Sequence, residues 1–460
     1  MKRIKNDEVT KIDDAQAGLS RRQFVQVGLV GATAAGALLR SGSAFAAGEK
    51  HPALGTYPAG IHKNSVFVGA ALPLTGPYSS SGKDMQYGFE LAVKHINEGS
   101  AITEAMASLK GKKGLLGKKI ETGVADSETK PNPAIQAATR FIRNNKAIMI
   151  TGAVSSAVAI ALEKLGQREK VIVMIGNSGS NDTTGKDCQR YGFRSQASAY
   201  MACKALAPVL AKELGKGKKV AYLTPDYTYG HSVYDSMKEF VSKEGWTEAT
   251  NQLAPLGTTD FSSYLLNIAN SGADVFVNIA FGADAVASTK QAQQFNILEK
   301  MKYVVPNISQ FQAKELGAKI MGGTYGTQAW WWTEEDHFPL AKHFVSDFEK
   351  KYGYKPRWGA SEAYVQLMVW ADAVARAGTF YPVSVIKALE SGHKVDTIYG
   401  KVWYREGDHQ MVRPVPVMVG KTPKEMHGKE DFFKIVQIVK GEDTMQPLKD
   451  TGCKMPGYGA

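Results

Sequence analysis

Short apolar segments that alternate with helix-forming segments constrain the fold of this chain more than any other feature. The stretch from 146 to 182 shows the pattern clearly. Apolar runs at 147–154 and 171–175 each end in small polar residues, and a helix-forming run at 157–165 separates them. A strand–helix–strand order favours a parallel sheet with helices on its faces.

The same alternation occupies two long parts of the chain. It runs from 65 to 181 and starts again between 200 and 307. A length of 460 residues, of which 43% are hydrophobic, suits a globular protein with more than one domain. We therefore predict an α/β fold with two Rossmann-like lobes and a ligand cleft between their facing strand ends.

Polar residues follow two of the predicted strands. Ser155 and Ser156 come after the run at 147–154, and Gly179, Ser180 and Asn181 come after the run at 171–175. Ligands of parallel sheets bind beyond the carboxyl ends of the strands, where a helix start offers free N–H groups to an anion. The alternative is that the serines only cap a helix and the second group only forms a turn.

Residues 1–46 are predicted to be a twin-arginine signal peptide. The sequence SRRQFV at 20–25 resembles the twin-arginine motif, a Gly/Ala-rich apolar run follows at 25–39, and AFA at 44–46 suits cleavage. The apolar run is too short for a good membrane span. No cysteine follows the run, so a lipid anchor is not indicated, and we expect export to the periplasm.

The three cysteines are Cys188, Cys203 and Cys453. In an oxidising compartment one disulfide would leave one thiol over. Cys203 lies in an apolar helical pattern and suits a buried position. Cys188 and Cys453 lie in polar, loop-like sequence, which favours a Cys188–Cys453 disulfide; pairing of Cys188 with Cys203 is the alternative.

Composition and motifs also argue against several kinds of partner. The formal charge is +12, but no block of Lys and Arg with interleaved aromatic residues suggests nucleic-acid binding. The nine His residues show no metal-binding spacing, and there is no C-x-x-C pair or cofactor motif. We predict no metal, no cofactor and no nucleic-acid partner.

Several motifs, in order along the chain, resemble the type I periplasmic binding proteins of the leucine/isoleucine/valine-binding family of ABC importers. The resemblance covers about 65 to 453. The matching sequences are LTGP at 74–77 with Gly82, KGLLGKKI at 113–120, DYTYG at 226–230, TTDFS at 258–262, and the ending from DFFKIV at 431–436 to Cys453. The late cysteine is similar to one that, in a subgroup of the family, is expected to bridge back to the first lobe.

The resemblance implies a binding protein rather than an enzyme. It implies two lobes joined by three hinge strands, which close on a small-molecule ligand and then engage membrane permease and ATPase subunits. The expected first lobe comprises 65–195 and 326–396, the second comprises 196–325 and 397–439, and 440–460 form a C-terminal tail. We expect a monomer.

The resemblance also assigns ligand-binding residues. Ser155 matches a serine that holds the ligand carboxylate, and Gly179, Ser180 and Asn181 fall in a second carboxylate-binding loop. Ser81 occupies a position that is often aromatic, and Tyr78 is the alternative source of that ring. Tyr229 and Phe281 match positions that wall the pocket.

Asn307 lies near the place where amino-acid binders carry an acidic residue for the α-ammonium. A buried ammonium without a counter-charge is costly, so an amino-acid ligand is disfavoured unless Asp226 or Asp284 compensates. The ligand is then expected to be a small polar organic solute that bears a carboxylate or an amide and is similar to a branched-chain amino acid.

The run Trp330–Trp332 falls in a predicted strand at 325–332. Side chains alternate between the two faces of a strand, so at least one of these rings is expected to be exposed or in a cleft. Trp331 is the predicted cleft residue, with Trp330 or Trp332 as comparable choices, and core packing is the alternative.

Two other functions are compatible with the sequence. An exported hydrolase could use Ser178, although GNSGS at 176–180 fits the nucleophile-elbow pattern only loosely. A ligand sensor that signals through a partner would share the same fold and cleft.

Overall fold

A five-stranded sheet forms from the first part of the chain in the computed structural model, which describes residues 64–460. Its strands are β1 (Ser65–Leu72), β2 (Lys119–Asp126), β3 (Met149–Gly152), β4 (Ile172–Ile175) and β5 (Gly192–Arg194). All pairs are parallel, in the order β2-β1-β3-β4-β5. The predicted signal peptide at 1–46 lies outside the described residues.

The rest of the chain supplies a seven-stranded and a three-stranded sheet. The strands are β6 (Lys219–Pro225), β7 (Thr247–Ala254), β8 (Val275–Asn278), β9 (Lys302–Asn307), β10 (Tyr325–Thr327), β11 (Val395–Thr397), β12 (Gly400–Tyr404), β13 (Met411–Val412), β14 (Val415–Gly420) and β15 (Phe433–Val439). The larger sheet has the order β15-β14-β10-β9-β8-β6-β7, and β11-β12-β13 form the smaller one. Strands β6 to β10 pair in parallel, whereas β14 and β15 join in antiparallel pairings.

Helices connect these strands and cover the faces of both larger sheets. They are α1 (Ser79–Glu98), α2 (Ala101–Ala105), α3 (Pro131–Asn144), α4 (Ser156–Glu169), α5 (Ala199–Leu214), α6 (Thr228–Ser242), α7 (Ser262–Ala269), α8 (Gly282–Gln294), α9 (Ile297–Lys300), α10 (Gln310–Leu316), α11 (Ala318–Met321), α12 (Pro339–Tyr352), α13 (Trp358–Ala377), α14 (Pro382–Glu390) and α15 (Gly441–Thr444). Three 3₁₀ helices are Asn181–Thr184, Trp332–Asp336 and Leu448–Asp450. None of the helices within 64–460 has the length and apolarity needed to cross a membrane.

Helix α13 is the central helix of the first lobe, which we define as the five-stranded sheet and the elements packed on it. Its residues from Trp358 to Val374 are all buried, as expected for a helix that is surrounded by other elements. It approaches α1 closely: a Cβ at Gly88 would lie 2.0 Å from the Ala360 carbonyl oxygen. Glycine at 88 thus permits the contact between the two helices.

The second lobe is the seven-stranded sheet with its helices, and its bounds differ from the predicted ones. The prediction placed 397–439 in the second lobe. Ile398, Val402 and Tyr404 instead pack in the core of the first lobe, because the β11–β13 sheet lies against α13 and α14. Only the part from Val415 onward pairs with the second sheet.

The three consecutive tryptophans do not follow the strand prediction. Strand β10 ends at Thr327, and a 3₁₀ helix begins at Trp332, so alternation of side-chain faces does not apply. Trp330 packs in the core of the first lobe and Trp331 in that of the second, each no more than 1% exposed. Trp332 is partly buried, and together with Trp331 it lines a separate small pocket beside Lys355 and Phe432. Strand alternation, the reason given for the expectation, does not apply to these rings.

The C-terminal tail crosses from the second lobe to the first. After β15 it passes Arg405, whose guanidinium donates to the Gln446 carbonyl at 2.7 Å. The Cys188–Cys453 disulfide is present, and the alternative partner, Cys203, is a buried free thiol. Beyond the disulfide, Gln167 donates to the carbonyls of Gly457 and Ala460 at 3.0 Å.

A buried histidine in the first lobe gives stability a pH dependence. His95 Nδ1 lies 2.7 Å from the Tyr364 hydroxyl, and Nε2 lies 3.5 Å from an Asp347 carboxylate oxygen. Burial lowers the pKa of His95 to about 4, although Asp347 acts in the opposite direction. The unfolded chain therefore binds more protons than the folded chain between about pH 4 and pH 6.5.

Acidification through this window should remove the stabilising contribution of neutral His95. We expect His95 to contribute a loss of about 2–3 kcal/mol in the free energy of unfolding between pH 7 and pH 4.5. In urea unfolding at both pH values, the change in free energy on acidification should be less favourable by about this amount in the wild type than in His95→Gln. Burial raises the pKa of Asp84 to about 6, which acts in the opposite direction, but this contribution is common to both proteins. Equal losses in the two proteins would contradict the assignment to His95.

Candidate functional site

Two connected chambers lie between the lobes. The aromatic chamber, of about 250 Å³, is lined by Tyr78, Val154, Asn177, Gly179, Gln196, Tyr227, Tyr229, Phe281, Asn307 and Trp358. The hinge chamber, of about 400 Å³, is lined by Gly179, Gln196, Ala197, Ala199, Ala202, Cys203, Tyr229, Val233, Pro306, Asn307, Thr327, Gln328, Ala329 and Val415. Four residues belong to both sets, so the chambers form one cleft.

Aromatic side chains from both lobes meet in the aromatic chamber. The Tyr78 hydroxyl lies 2.7 Å from that of Tyr227, which joins the first lobe to the second. The Phe281 ring packs edge-on against Tyr78 and Trp358, with centroid distances of 5.5 and 5.6 Å. Such edge-to-face contacts are favourable, so these rings hold each other in place.

The aromatic residues occupy the starts of helices. Tyr78, Tyr227 and Phe281 are the residues before the first turns of α1, α6 and α8, and Trp358 is the first residue of α13. Helices α1, α6 and α8 each follow a strand, whereas α13 follows α12. Because the N-terminus of a helix carries a partial positive charge, the cleft favours an electronegative ligand group.

No acidic or basic side chain of the described residues lines either chamber. Burial raises the pKa of Tyr78 and that of Tyr227 well above the usual tyrosine value, so both hydroxyls stay neutral. Asp284, which was considered as a partner for an ammonium group, accepts a hydrogen bond from Gly257 N at 2.8 Å and lies outside the lining. Asp226 is exposed and lies 3.0 Å from His231.

Two buried polar groups of the cleft lack hydrogen-bond partners within residues 64–460. They are the side-chain amide of Asn177 and the hydroxyl of Tyr229. The Tyr229 hydroxyl lies near Asn307, without a well-formed hydrogen bond to it. Since unpaired buried polar groups are costly, these atoms are candidates for contact with a ligand.

Three crossing segments bound the hinge chamber. Gln196 and Ala197 belong to the first, Gln328 and Ala329 to the second, and Val415 follows the third. A movement of the lobes about these segments would therefore change the chamber directly.

The structure divides the predicted site residues into four groups, of which three are described first. Tyr78, Gly179, Tyr229, Phe281 and Asn307 line the cleft. Ser155 precedes α4 next to the cleft residue Val154, and its side chain makes no capping bond to the helix. Ser81 and Trp331 lie elsewhere: Ser81 is buried within α1, and Trp331 donates to the Phe433 carbonyl at 3.1 Å.

The remaining predicted serines and asparagine make contacts within and between the lobes. Ser156 Oγ accepts from Ser180 N at 3.1 Å, which joins the loops after β3 and β4. Ser180 Oγ lies 2.9 Å from Ser232 Oγ, and Asn181 Nδ2 donates to Ser236 Oγ at 3.0 Å. The Ser180 and Asn181 side chains thus bind helix α6 of the other lobe, and none of the three residues lines the cleft.

The sequence prediction missed several cleft residues: Asn177, Gln196, Tyr227, Gln328 and Trp358. Asn177 and Tyr227 lie inside loops that the sequence singled out, so the strand-end argument could have included them. Gln196, Gln328 and Trp358 do not follow an apolar run that would have identified them as residues at a strand end.

A fold of two α/β lobes with three crossings and an intervening cleft is that of a solute-binding protein. The periplasmic binding protein family matches residues 65–425, and the chain belongs to this family. The predicted type I periplasmic-binding-protein fold is therefore confirmed.

Comparison with known proteins agrees with this assignment. The chain is 27% identical over 346 residues to Leu/Ile/Val-binding protein homolog 7 of Brucella suis, covering 73% of this chain and 82% of that protein. It is also similar to the structure of an amino acid ABC transporter substrate-binding protein from Pseudomonas fluorescens, with a TM-score of 0.75, 26% identity and coverage of 85% and 99%. A periplasmic binding protein from Burkholderia mallei gives a TM-score of 0.77 at 23% identity, covering 85% of this chain and 99% of the other.

Proposed function

We propose that the protein is the extracytoplasmic solute-binding component of an ABC importer. The observation that carries the proposal is the cleft, where aromatic rings at four helix starts surround a neutral, mostly apolar space. The name of the Pseudomonas protein supports the transport role, and that of the Brucella relative supports a solute-binding role. Permease and ATPase subunits in the membrane are the expected partners, and the working unit is a monomer.

The cleft chemistry favours a carboxylate or amide solute with an apolar or aromatic body. Helix starts attract the electronegative group, with Ser155 and the first N–H groups of α4 as its proposed contacts. The rings of Tyr78, Phe281 and Trp358 suit an apolar body. An α-ammonium group has no carboxylate partner among the described lining residues, which argues against an unmodified amino acid.

We also propose export by the twin-arginine route, on the strength of the SRRQFV sequence at 20–25 and the AFA sequence at 44–46. Membership of the periplasmic binding protein family supports an extracytoplasmic location. The hydrolase alternative gains no support, because Ser178 is fully buried and its hydroxyl bonds Thr183 and Ser156 rather than a base.

A thermal-shift screen of the mature protein, stripped of carried ligand by partial unfolding and refolding, tests the proposal. The panel contains amino acids, amides, quaternary amines and small carboxylates. A ligand at 100 times its dissociation constant should add about 2.7 kcal/mol to the stability. If no compound in the panel raises the melting temperature, the result would count against a solute-binding role.

Trp358→Ala should weaken binding of any compound that the screen identifies by about tenfold to 100-fold, because the ring forms one wall of the aromatic chamber. Titration calorimetry measures the change. Trp403→Ala, on β12 away from the cleft, is the matched control and should leave affinity unchanged. Equal affinities of wild type and Trp358→Ala would place the ligand elsewhere.

A further inference from the structure

Asn177 is a fully buried side chain that lines the aromatic chamber. It follows β4 and is 1% exposed. Neither its amide nitrogen nor its amide oxygen has a hydrogen-bond partner within residues 64–460. Buried polar atoms are nearly always hydrogen-bonded, so we expect both atoms to bond a ligand group in the chamber that they line.

The loop around Asn177 is held firmly in place. The adjacent Ser178 hydroxyl lies 2.7 Å from Thr183 Oγ1 and donates to Ser156 Oγ at 3.1 Å. The buried Arg194 guanidinium donates to the Ser178 carbonyl at 3.1 Å. These bonds fix the backbone next to Asn177 and tie it to the first turn of α4. The loop that carries Asn177 is therefore joined to the start of α4, where the proposed carboxylate contacts lie.

The chemistry of an amide limits what can satisfy both of its atoms. The nitrogen donates and the oxygen accepts. A carboxylate can pair only with the nitrogen, because it has no proton to donate. An ammonium group can pair only with the oxygen, and it would bring a charge that no acidic lining residue neutralises. A hydroxyl group both donates and accepts, and it carries no charge.

We propose that Asn177 is a specificity-determining residue that selects solutes carrying a hydroxyl group next to the carboxylate, that is, small 2-hydroxy acids. The carboxylate lies at the start of α4, and the hydroxyl pairs with the Asn177 amide. The second unpaired group of the cleft, the Tyr229 hydroxyl, is a further neutral partner on the opposite lobe. This inference rests on the proposed solute-binding function.

Two matched series test the inference on the wild-type protein. Each series keeps one skeleton and changes only the group at the 2-position: leucine, 2-hydroxyisocaproate and 4-methylpentanoate; and phenylalanine, phenyllactate and 3-phenylpropanoate. The hydroxy acid should bind at least about tenfold more tightly than the other two members of its series. Tighter or equal binding of the amino or unsubstituted acid would overturn the inference.

Asn177→Leu separates a selective role from a structural one. In this variant the dissociation constants of the hydroxy acid and of the unsubstituted acid should become about equal, while the affinity for the unsubstituted acid stays unchanged. Asn267→Leu, an exposed position on α7, is the matched control and should keep the wild-type ratio. An equal loss of affinity for both acids in Asn177→Leu would show a structural role and overturn the inference.

The outcome for the wider panel distinguishes this inference from the proposed function. If other panel compounds bind but neither hydroxy acid does, the selectivity of Asn177 is refuted and the solute-binding role stands. If nothing in either set binds, both are refuted.

Discussion

Replacing Glu362 by alanine should lower the free energy of unfolding by about 3–5 kcal/mol, since it would leave a buried guanidinium without its counter-charge. Glu362 and Arg413 are both fully buried and bonded to each other. Ser195 Oγ donates to the second Glu362 oxygen at 2.7 Å, and Arg413 also donates to the Ala329 carbonyl. This buried pair thus joins all three segments that cross between the lobes.

In the wild-type protein Glu362 is the main counter-charge of Arg413 among residues 64–460. The remaining carboxyl group near Arg413 is that of Glu334, and burial raises its pKa to about 8. Glu334 is therefore mostly protonated at pH 7. The Arg413 guanidinium also lies over the Tyr399 ring, 3.7 Å from its centroid, which is a weaker partner than a carboxylate.

Equilibrium unfolding in urea measures the loss, with an exposed pair as control. Lys401 and Asp396 form an ion pair of 2.8 Å in which both side chains are more than half exposed, so Asp396→Ala should cost less than about 1 kcal/mol. A double variant, Glu362→Gln with Arg413→Met, should be more stable than Glu362→Ala because it removes the buried charges together. A loss below 1 kcal/mol in Glu362→Ala would contradict this account of the crossings.

The sequence predicts the two-lobed α/β fold well because apolar strands leave a local signal. The runs at 147–154 and 171–175 became β3 and β4, although each strand is shorter than the run that marks it. The expected helix start at 155–156 also occurs, because small polar residues after an apolar strand end the strand and begin a helix.

The cleft was harder to predict because its shape depends on where distant segments meet. Tyr78, Tyr229 and Phe281 were expected from the resemblance to the binding-protein family, and they lie in the cleft. Trp358 comes from a segment almost 80 residues beyond Phe281, and only packing of α13 against both lobes brings the two rings together. No local sequence pattern predicts such a contact.

Two differences between prediction and structure have a common physical cause. Trp331 was predicted in the cleft together with a strand that continues to residue 332, whereas the chain leaves the sheet at Thr327 and Trp331 lies in the core of the second lobe. Residues 397–412 were assigned to the second lobe because they follow its expected hinge, whereas their apolar side chains fit the core of the first. In both cases tertiary packing determines where the segment lies, and the local sequence pattern does not specify that position.

Removing the Cys188–Cys453 disulfide should lower the free energy of unfolding by about 2–5 kcal/mol. The bond joins residues 265 positions apart. It therefore restricts the unfolded chain strongly, and in the folded chain it ties the tail that leaves the second lobe to the first lobe. The hydrogen bonds of Arg190 to Pro456 and of Gln167 to Gly457 keep the tail end in place in the folded state.

Urea unfolding of a Cys188→Ala/Cys453→Ala double variant measures the loss, and reduction of the wild type with dithiothreitol should reproduce it. The same reductant should leave the double variant unchanged, because its only cysteine, Cys203, is a free thiol within the core. Cys203→Ala retains the disulfide and controls for cysteine replacement in general. Unchanged stability of the double variant would show that packing and hydrogen bonds alone hold the tail across the two lobes.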